Sequence, residues 1–436
     1  MRDIFVTMIV FGSIPFVMKR PYVGVLMMAW LGYMNPHRLS WGFATDFPFV
    51  LIMAIATMSA MLFSKDKFRI PLKAETILLI LFVLWMGITT LGALEPASAS
   101  DQYWKVVKIQ IITFLTLMLM TDKHRINLLV WVIALSIGFF GFKGGIFTVT
   151  SGGGYHVLGP PGTFIGGNNE LGLAMIMTIP FMRYLQLQYS NKWLKLGLTI
   201  LIILNILAVF GTQSRGALLG LAVMGVFLIL KSKKRFSFLI ILALAVPLVL
   251  TFMPQSWWGR MEGIKDYQQD QSALGRINAW KFAVNLANDR PIMGGGFDVF
   301  NKRWFRIYAP EPEKVHDAHS IYFEVLAEHG YPGLLLFVGL LLATWMSGSR
   351  IIRACKENTE LRWAENLARM LQVSIVGFLS SGAFLGLAYF DYIYHIVAIM
   401  IMLKVLVFEA EKQRSSAAPI TRNQQIARIG LIRPEV

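Results

Sequence analysis

One histidine stands out as the residue best suited to acid–base chemistry. His319 lies in the stretch His316-Asp317-Ala318-His319-Ser320, just before an apolar run. An imidazole is the side chain best able to accept a proton near neutral pH, so His319 is a candidate general base. Two other interpretations stay open: a histidine at a helix N-terminus that bonds a loop carbonyl, or a metal ligand together with His316. No nearby acidic residue completes a recognisable ligand set, which disfavours the metal site.

Three cationic side chains are candidate ligands for phosphate oxygens. Arg215 lies in a short turn between two apolar runs, Arg276 starts a predicted loop helix, and Lys143 lies near the outer end of another apolar run. An arginine can bind two phosphate oxygens at once, and a charge at a membrane edge is costly enough to suggest a function. The alternatives are that Arg215 and Lys143 extend to lipid headgroups and that Arg276 is a solvated loop residue.

The elements that hold these residues must be membrane helices. Of the 436 residues, 56% are hydrophobic and 15% are charged, whereas an ordinary soluble domain has about 45–50% and about 25%. This excludes a soluble globular enzyme, a disordered chain and a coiled coil. In lipid an apolar run must be helical, which predicts an all-α polytopic integral membrane protein with about 12 spans. The apolar runs lie at residues 4–18, 21–36, 47–63, 75–94, 107–120, 126–147, 169–184, 195–211, 217–230, 237–253, 331–347, 371–389 and 392–408.

The first two runs leave the number of spans open between 12 and 13. They are short and are separated by Lys19-Arg20-Pro21, so they are either two tilted spans or one broken, partly re-entrant unit. Between the later runs, residues 254–318 form the one long insertion. Within it, residues 276–289 show the apolar stripe of a helix, which Pro291 and Gly294-Gly295-Gly296 should end.

Basic connections predict the orientation in the membrane. The net charge is +16, and we interpret it as Lys and Arg on the cytoplasmic side, not as a nucleic-acid surface. Alternation then places Arg215, the 148–168 connection and the long insertion together on the outer side. The basic segments are 64–69, 122–125, 231–235, 350–369 and the tail from Lys412. The expected parts are a helical bundle at 1–253, an outer loop with the candidate site at 254–330, further spanning helices at 331–408 and a basic cytoplasmic tail at 409–436.

The outer side thus collects two or three cations and one imidazole. The glycines and prolines at 152–154 and 159–162 indicate turns that close over an outer cavity, not a nucleotide-binding loop, because no Gly-Lys-Ser/Thr follows a strand. No paired carboxylates stand out in the spans, so Mg²⁺- or Mn²⁺-dependent glycosyl transfer would have few ligands. A lipid-linked pyrophosphate donor would suit arginine ligands and would need no metal.

Several of these residues also form a family pattern. His319-Ser320, nine residues, Gly330, two residues and Gly333 resemble the His-(Asn/Ser/Gln)-x9-Gly-x2-(Gly/Thr/Tyr) motif of bacterial O-antigen ligases. Arg215 with Leu219 resembles their Arg-x3-Leu motif, and the stretch from Arg276 to Gly296 resembles the core of the wider ligase and polymerase superfamily. The opening segment with Pro36-His37-Arg38-Leu39 resembles a branch of O-glycosylation ligases.

This resemblance implies a GT-C-like helical enzyme of the bacterial inner membrane, with its long loop and active site facing the periplasm. It would transfer O-antigen polysaccharide from undecaprenyl pyrophosphate to lipid A–core in one inverting step, without cofactor or metal. His319 would take the proton of the acceptor hydroxyl, and Arg215, Arg276 and Lys143 would bind the pyrophosphate. An O-antigen polymerase, a protein O-oligosaccharyltransferase and, from another class, a transporter of lipid-linked glycans remain as alternatives.

Overall fold

The chain folds as a bundle of α-helices, as its composition predicts. The structure, a computed structural model, describes residues 1–65, 68–231, 251, 254–262 and 271–417, and no β-strand occurs in these ranges. The helices of the described segments are α1 (Arg2–Lys19), α2 (Tyr22–Tyr33), α3 (Phe49–Phe63), α4 (Ala74–Leu91), α5 (Pro96–Leu119), α6 (Lys123–Thr150), α7 (Asn168–Gln188), α8 (Lys192–Gly211), α9 (Arg215–Lys231), α10 (Gln255–Glu262), α11 (Gln271–Asp289), α12 (Lys302–Tyr308), α13 (Ile321–Ala354), α14 (Arg362–Gly382) and α15 (Asp391–Ala417).

Five of these helices, α4, α6, α8, α13 and α15, are long and apolar enough to cross a membrane. Large apolar side chains on their outer faces are exposed, among them Leu84 (56%), Ile203 (51%) and Leu342 (57%). A soluble protein would bury most of such a surface, whereas lipid covers it in a membrane protein. The chain is therefore a helical membrane protein.

The start of the chain forms two separate helices. α1 and α2 meet at Arg20-Pro21, and each packs against α3. α2 has 12 residues, which gives it a length of about 18 Å, whereas the hydrocarbon core of a bilayer is about 30 Å thick. α2 is therefore too short to cross the core by itself.

Most predicted apolar runs coincide with helices, but some ends differ. α5 begins at Pro96, eleven residues before the predicted run at 107, because its first three turns are polar. α13 begins at Ile321, ten residues before the predicted run at 331, and α14 ends at Gly382, before the predicted 389. The last helix continues to Ala417, past the expected start of the tail at 409.

Several predictions lie wholly or partly outside the described residues. Of the predicted run at 237–253, the structure describes residue 251 alone. Residues 66–67 and 232–235, which belong to two basic connections, lie outside the described residues. Residues 263–270 of the insertion and the tail from 418 also lie outside.

The long helix α6 sets the distance between the two ends of the bundle. It has 28 residues, so its length is about 42 Å. It packs closely on α8, where a Cβ atom at Gly145 would overlap the backbone of Leu204. Asp122 and Arg125 lie at its first end, and its other end leads into the loop at 151–167. Residues around these two ends therefore lie on opposite sides of the bundle.

Candidate active site

Arg215 and Arg276 line one cavity although 60 residues separate them in the sequence. The cavity, called the arginine cavity below, has a volume of about 430 Å³, which is in the range of ligand sites. Among its lining residues that the structure describes, none carries a carboxylate. They come from the 151–167 loop, the start of α7, the turn before α9 and the start of α11: His156, Leu158, Asn168, Asn169, Gln213, Arg215, Ser272 and Arg276.

The turn before α9 positions Arg215. Gln213 has a left-handed backbone with φ of 54° and is buried, and its side-chain amide donates to the carbonyl of Gly153 (2.9 Å). Ser214 caps the helix by accepting a hydrogen bond from the backbone N–H of Ala217 (3.1 Å). Arg215 follows as the first helical residue and is half-buried. A helix start adds partial positive charge, so it strengthens the attraction of this position for an anion.

The 151–167 loop forms one wall of the cavity, in agreement with the expectation that it closes over a cavity. It is fixed to the Arg215 turn by Asn168, whose side-chain amide donates to the carbonyl of Thr212 (2.9 Å). Nδ1 of His156 lies 3.2 Å from the same carbonyl oxygen. Sequence reasoning missed His156 and Asn168 because nothing in their spacing links them to Arg215.

Arg276 lies on α11, but not at its start. The helix begins at Gln271, so the prediction that Arg276 starts it was wrong by one and a half turns. Gly275 allows the His316 ring to approach closely, because a Cβ atom there would lie 2.8 Å from Cδ2 of His316. The ring of His316 in turn meets that of His319 edge to face, with 4.8 Å between centroids. The contact of Gly275 with His316 and that of His316 with His319 therefore place the predicted base, His319, close to Arg276.

His319 occupies a strained backbone position immediately before α13. Its φ is 40°, in the left-handed region that few non-glycine residues adopt. The preceding carbonyl, of Ala318, accepts a hydrogen bond from the indole N–H of Trp280 (2.7 Å), and Trp280 stacks on Phe323 with 5.0 Å between centroids. Trp280 of α11 thus holds Ala318, and the first backbone bond of α13, from the N–H of Glu324 to the carbonyl of Ser320 (2.9 Å), holds the residue after His319.

Burial, together with the charges of His316 and Arg276, lowers the pKa of His319 to about 4, and the charge of Asp317 opposes this shift. The imidazole is therefore neutral at neutral pH, which is the form that can accept a proton. The sequence alone suggested a pKa near neutrality, and it could not reveal this shift because the shift arises from burial and from neighbours brought in by folding. His319 is not among the residues that line the arginine cavity.

The glycines of the His319 motif make the junction between the insertion and α13. Gly330 breaks α13 with φ of 64° and ψ of −170°. The kink brings it against Gly294, where a Cβ atom would lie 2.6 Å from the backbone nitrogen of Gly330. Three backbone hydrogen bonds close the junction: Gly295 N–H to Ala327 O (2.8 Å), Gly296 N–H to Glu328 O (2.8 Å) and Tyr331 N–H to Pro291 O (2.9 Å). The expected boundary at residue 330 falls on this kink.

Two carboxylates one turn apart on α13 were missed by sequence reasoning. Glu324 accepts a hydrogen bond from the backbone N–H of Ala388 (3.1 Å). Glu328 accepts from the backbone N–H of Asp298 (3.2 Å) and from the hydroxyl of Tyr389 (2.5 Å). These bonds attach two loops to the helix that follows His319. Two carboxylates four residues apart in a mostly apolar helix are costly in a membrane, and this pattern could have revealed them from the sequence.

Lys143 lies apart from the other candidates. Its side chain is exposed on α6, and it is not among the residues that line the arginine cavity. The structure therefore brings Arg215 and Arg276 together, places His319 beside Arg276, and does not bring Lys143 to them.

Comparison with known proteins assigns this region to a family. Residues 200–338 match the family described as O-antigen ligase, and residues 1–189 match a family of unknown function. No curated protein matches the chain. The first match contains Arg215, Arg276 and His319, and over residues 200–338 the chain is similar to the O-antigen ligase family.

Proposed function

We propose that this protein is an O-antigen ligase that transfers a glycan from undecaprenyl pyrophosphate to lipid A–core. The observation that carries the proposal is the arginine cavity, which two arginines from distant parts of the chain line together. Two guanidinium groups suit a pyrophosphate because each can bind two phosphate oxygens. The family match supports a glycosyltransferase-like enzyme acting on lipid-linked glycans.

The proposed reaction is a single displacement. The oxygen of an acceptor hydroxyl attacks the anomeric carbon of the donor while the bond from that carbon to the pyrophosphate oxygen breaks. The electron pair of that bond leaves with undecaprenyl pyrophosphate, whose growing negative charge is stabilised by Arg215 and Arg276. His319, neutral at neutral pH, accepts the hydroxyl proton. Attack from the face opposite the leaving group inverts the anomeric configuration, so no second carboxylate is required.

The proposed reaction needs no metal and no cofactor. Within the ranges that the structure describes, no group of three or more His, Cys, Asp or Glu side chains is arranged to hold a metal ion. The arginines would supply the positive charge that a divalent ion supplies in other glycosyltransferases. Lys143, predicted as a third pyrophosphate ligand, would have to act from outside the cavity lining.

We further propose about 12 spans in the inner membrane, a GT-C-like arrangement, and a periplasmic arginine cavity. Lys19, Arg20 and Arg125 gather at the first end of α6, and basic ends of spans stay in the cytoplasm. The arginine cavity lies at the other end of α6, about 42 Å away. In a Cys355→Ser background, cysteines at Leu158 and Glu313 should both react with a membrane-impermeant thiol reagent. Labelling of one site alone, with both reactive after lysis, would contradict a shared periplasmic face.

The decisive experiment offers purified full-length protein a labelled undecaprenyl-pyrophosphate glycan with separate acceptors. Transfer to lipid A–core supports the ligase. Transfer instead to a second lipid-linked glycan identifies a polymerase, and transfer to a peptide hydroxyl identifies a protein O-oligosaccharyltransferase. No transfer, combined with movement of the lipid-linked glycan across proteoliposomes, identifies a transporter.

Matched variants connect the outcome to the site. Arg215→Ala and Arg276→Ala should each abolish transfer, whereas Arg353→Ala, which removes an exposed arginine elsewhere, should not. Lys143→Ala tests the third predicted ligand: a raised KM for the donor would support its role, and unchanged kinetics would contradict it.

A further inference from the structure

A second cavity lies at the first end of α6, on the side of the bundle opposite the arginine cavity. We call it the α6-start cavity, and its volume is about 360 Å³. It lies where the α1–α2, α3–α4 and α5–α6 connections meet, so residues far apart in sequence form it. Its lining includes Lys19, Arg20, Tyr22, Asp122, His124 and Arg125.

The polar lining of this cavity retains uncompensated positive charge. Arg125 is paired with Asp122, with 2.8 Å between Nε and Oδ2, and its guanidinium lies over the ring of Tyr22, 4.8 Å from the centroid. Among the described residues, no carboxylate lies within ion-pair distance of Lys19 or Arg20, and both side chains are exposed. The paired side chain of Arg125 thus forms part of the cavity wall, and the charges of Lys19 and Arg20 are available to bind an anion.

Exposed apolar side chains lie close in sequence to the charged lining. At the end of α1, Phe16 is 65% exposed and Met18 is 42% exposed. At the end of α3, Leu62 and Phe63 are 84% and 81% exposed. These side chains lie one to six residues from the cavity-lining residues Lys19 and Phe68. A bound soluble anion would leave these apolar side chains uncovered, whereas the acyl chains of a bound lipid would cover them.

We propose that the α6-start cavity binds the phosphate headgroup of an anionic glycerophospholipid in the cytoplasmic leaflet. Lys19 and Arg20 contact the phosphate, the Arg125–Asp122 pair and Tyr22 shape the wall, and the acyl chains lie along Phe16 and Met18. Basic pockets between helix ends on the cytoplasmic side are suited to such headgroups. The site is about 42 Å from the arginine cavity, so it is separate from the proposed transfer reaction.

The test is native mass spectrometry of the full chain in detergent, titrated with dioleoyl phosphatidylglycerol or with phosphatidylcholine of the same acyl chains. The phosphatidylglycerol adduct should form at lower lipid concentration. A basic residue near a membrane surface strengthens binding of anionic lipid about 5-fold, so the double variant Lys19→Ala/Arg20→Ala should weaken it on the order of 30-fold. Equal binding of the two lipids, or unchanged binding by the variant, would overturn the proposal.

Control variants and a soluble competitor separate the remaining explanations. Lys192→Ala/Lys356→Ala removes two exposed charges away from the cavity and should bind as the wild type does. Lys19→Arg/Arg20→Lys keeps both charges and should also retain binding. An unfolding temperature of the alanine variant equal to that of the wild type shows that its loss of binding is not misfolding. Displacement of the lipid by glycerol 3-phosphate at equal concentration would assign the cavity to a soluble phosphate and overturn the lipid assignment.

Discussion

Replacing Gly330 by alanine should disrupt the junction on which the candidate site is built. The residue has φ of 64° and ψ of −170°, a combination that is almost exclusive to glycine. A Cβ atom there would lie 2.5 Å from the carbonyl oxygen of Ile292 and 2.6 Å from that of Pro291. Both are backbone atoms, so no side chain can rotate away to make room.

The magnitude follows from two contributions. Holding alanine at this backbone conformation costs about 1–3 kcal/mol. Moving the carbonyl of Pro291 weakens the hydrogen bond that it accepts from the N–H of Tyr331, which is worth about 1 kcal/mol net. We therefore expect Gly330→Ala to lower the free energy of unfolding by about 2–4 kcal/mol. It should also abolish transfer, because His319 and Arg276 are placed by the elements on either side of this junction.

The assay compares Gly330→Ala with Gly339→Ala in thermal unfolding of the detergent-purified protein, followed by fluorescence, and in glycan transfer. Gly339 lies on the same helix, and a Cβ atom there would meet nothing within 4 Å. Its replacement should be neutral or stabilise the helix by about 0.5–1 kcal/mol. If Gly330→Ala unfolds at the wild-type temperature and remains active, the kink is not needed and the reasoning fails.

Four further predictions concern the proposed reaction. His319→Ala should lower transfer about 10²–10⁴-fold while donor binding stays near wild type, because proton transfer alone is lost; a parallel loss of donor binding would contradict this. Arg215→Lys should be strongly impaired despite its charge, since an ammonium cannot bind two phosphate oxygens in a planar fork; full kcat/KM would reduce the role to charge alone. Transfer should persist in EDTA. If activity is lost in EDTA and returns when Mg²⁺ or Mn²⁺ is added, the proposed metal independence is wrong. Diethyl pyrocarbonate modifies neutral imidazole, so wild-type His319 should remain reactive down to about pH 4, the value to which its pKa is lowered. Arg276→Ala removes a charge that lowers this pKa, so modification of His319 in this variant should begin to slow at a higher pH. An unchanged pH profile of the modification, measured by peptide mass spectrometry, would refute the coupling between Arg276 and His319.

The sequence was a good guide to helices whose residues are uniformly apolar. α8 and α9 begin within three residues of their predicted positions and end within one. The first turns of α5 and α13 were missed because they carry Asp101, Lys105, Glu324 and Glu328. Hydropathy reports the part of a helix that lipid touches, so it cannot detect the part that continues into loops or is buried by neighbours.

The candidate site was predictable in its residue types but not in its assembly. Arg215 stands out because a charge at a membrane edge is costly, and His319 because an imidazole can accept a proton near neutral pH. Arg276 stands out mainly through the family pattern. The close placement of His156 and Asn168 beside Arg215 depends on hydrogen bonds to the carbonyl of Thr212, and no linear pattern encodes such contacts. The kink at Gly330 was predictable in part. The motif marks this glycine, but its contact with Gly294 is visible only in the folded structure.

The pairing of two arginines in the arginine cavity bears on how fast the proposed enzyme can turn over. The donor carries a pyrophosphate diester, whereas the leaving lipid carries a pyrophosphate monoester with one more ionisable oxygen. Arg215 and Arg276 would therefore hold the spent lipid at least as tightly as the donor. Under the proposed reaction the first turnover is fast and later ones wait for the spent carrier to depart, so undecaprenyl pyrophosphate acts as a competitive product inhibitor.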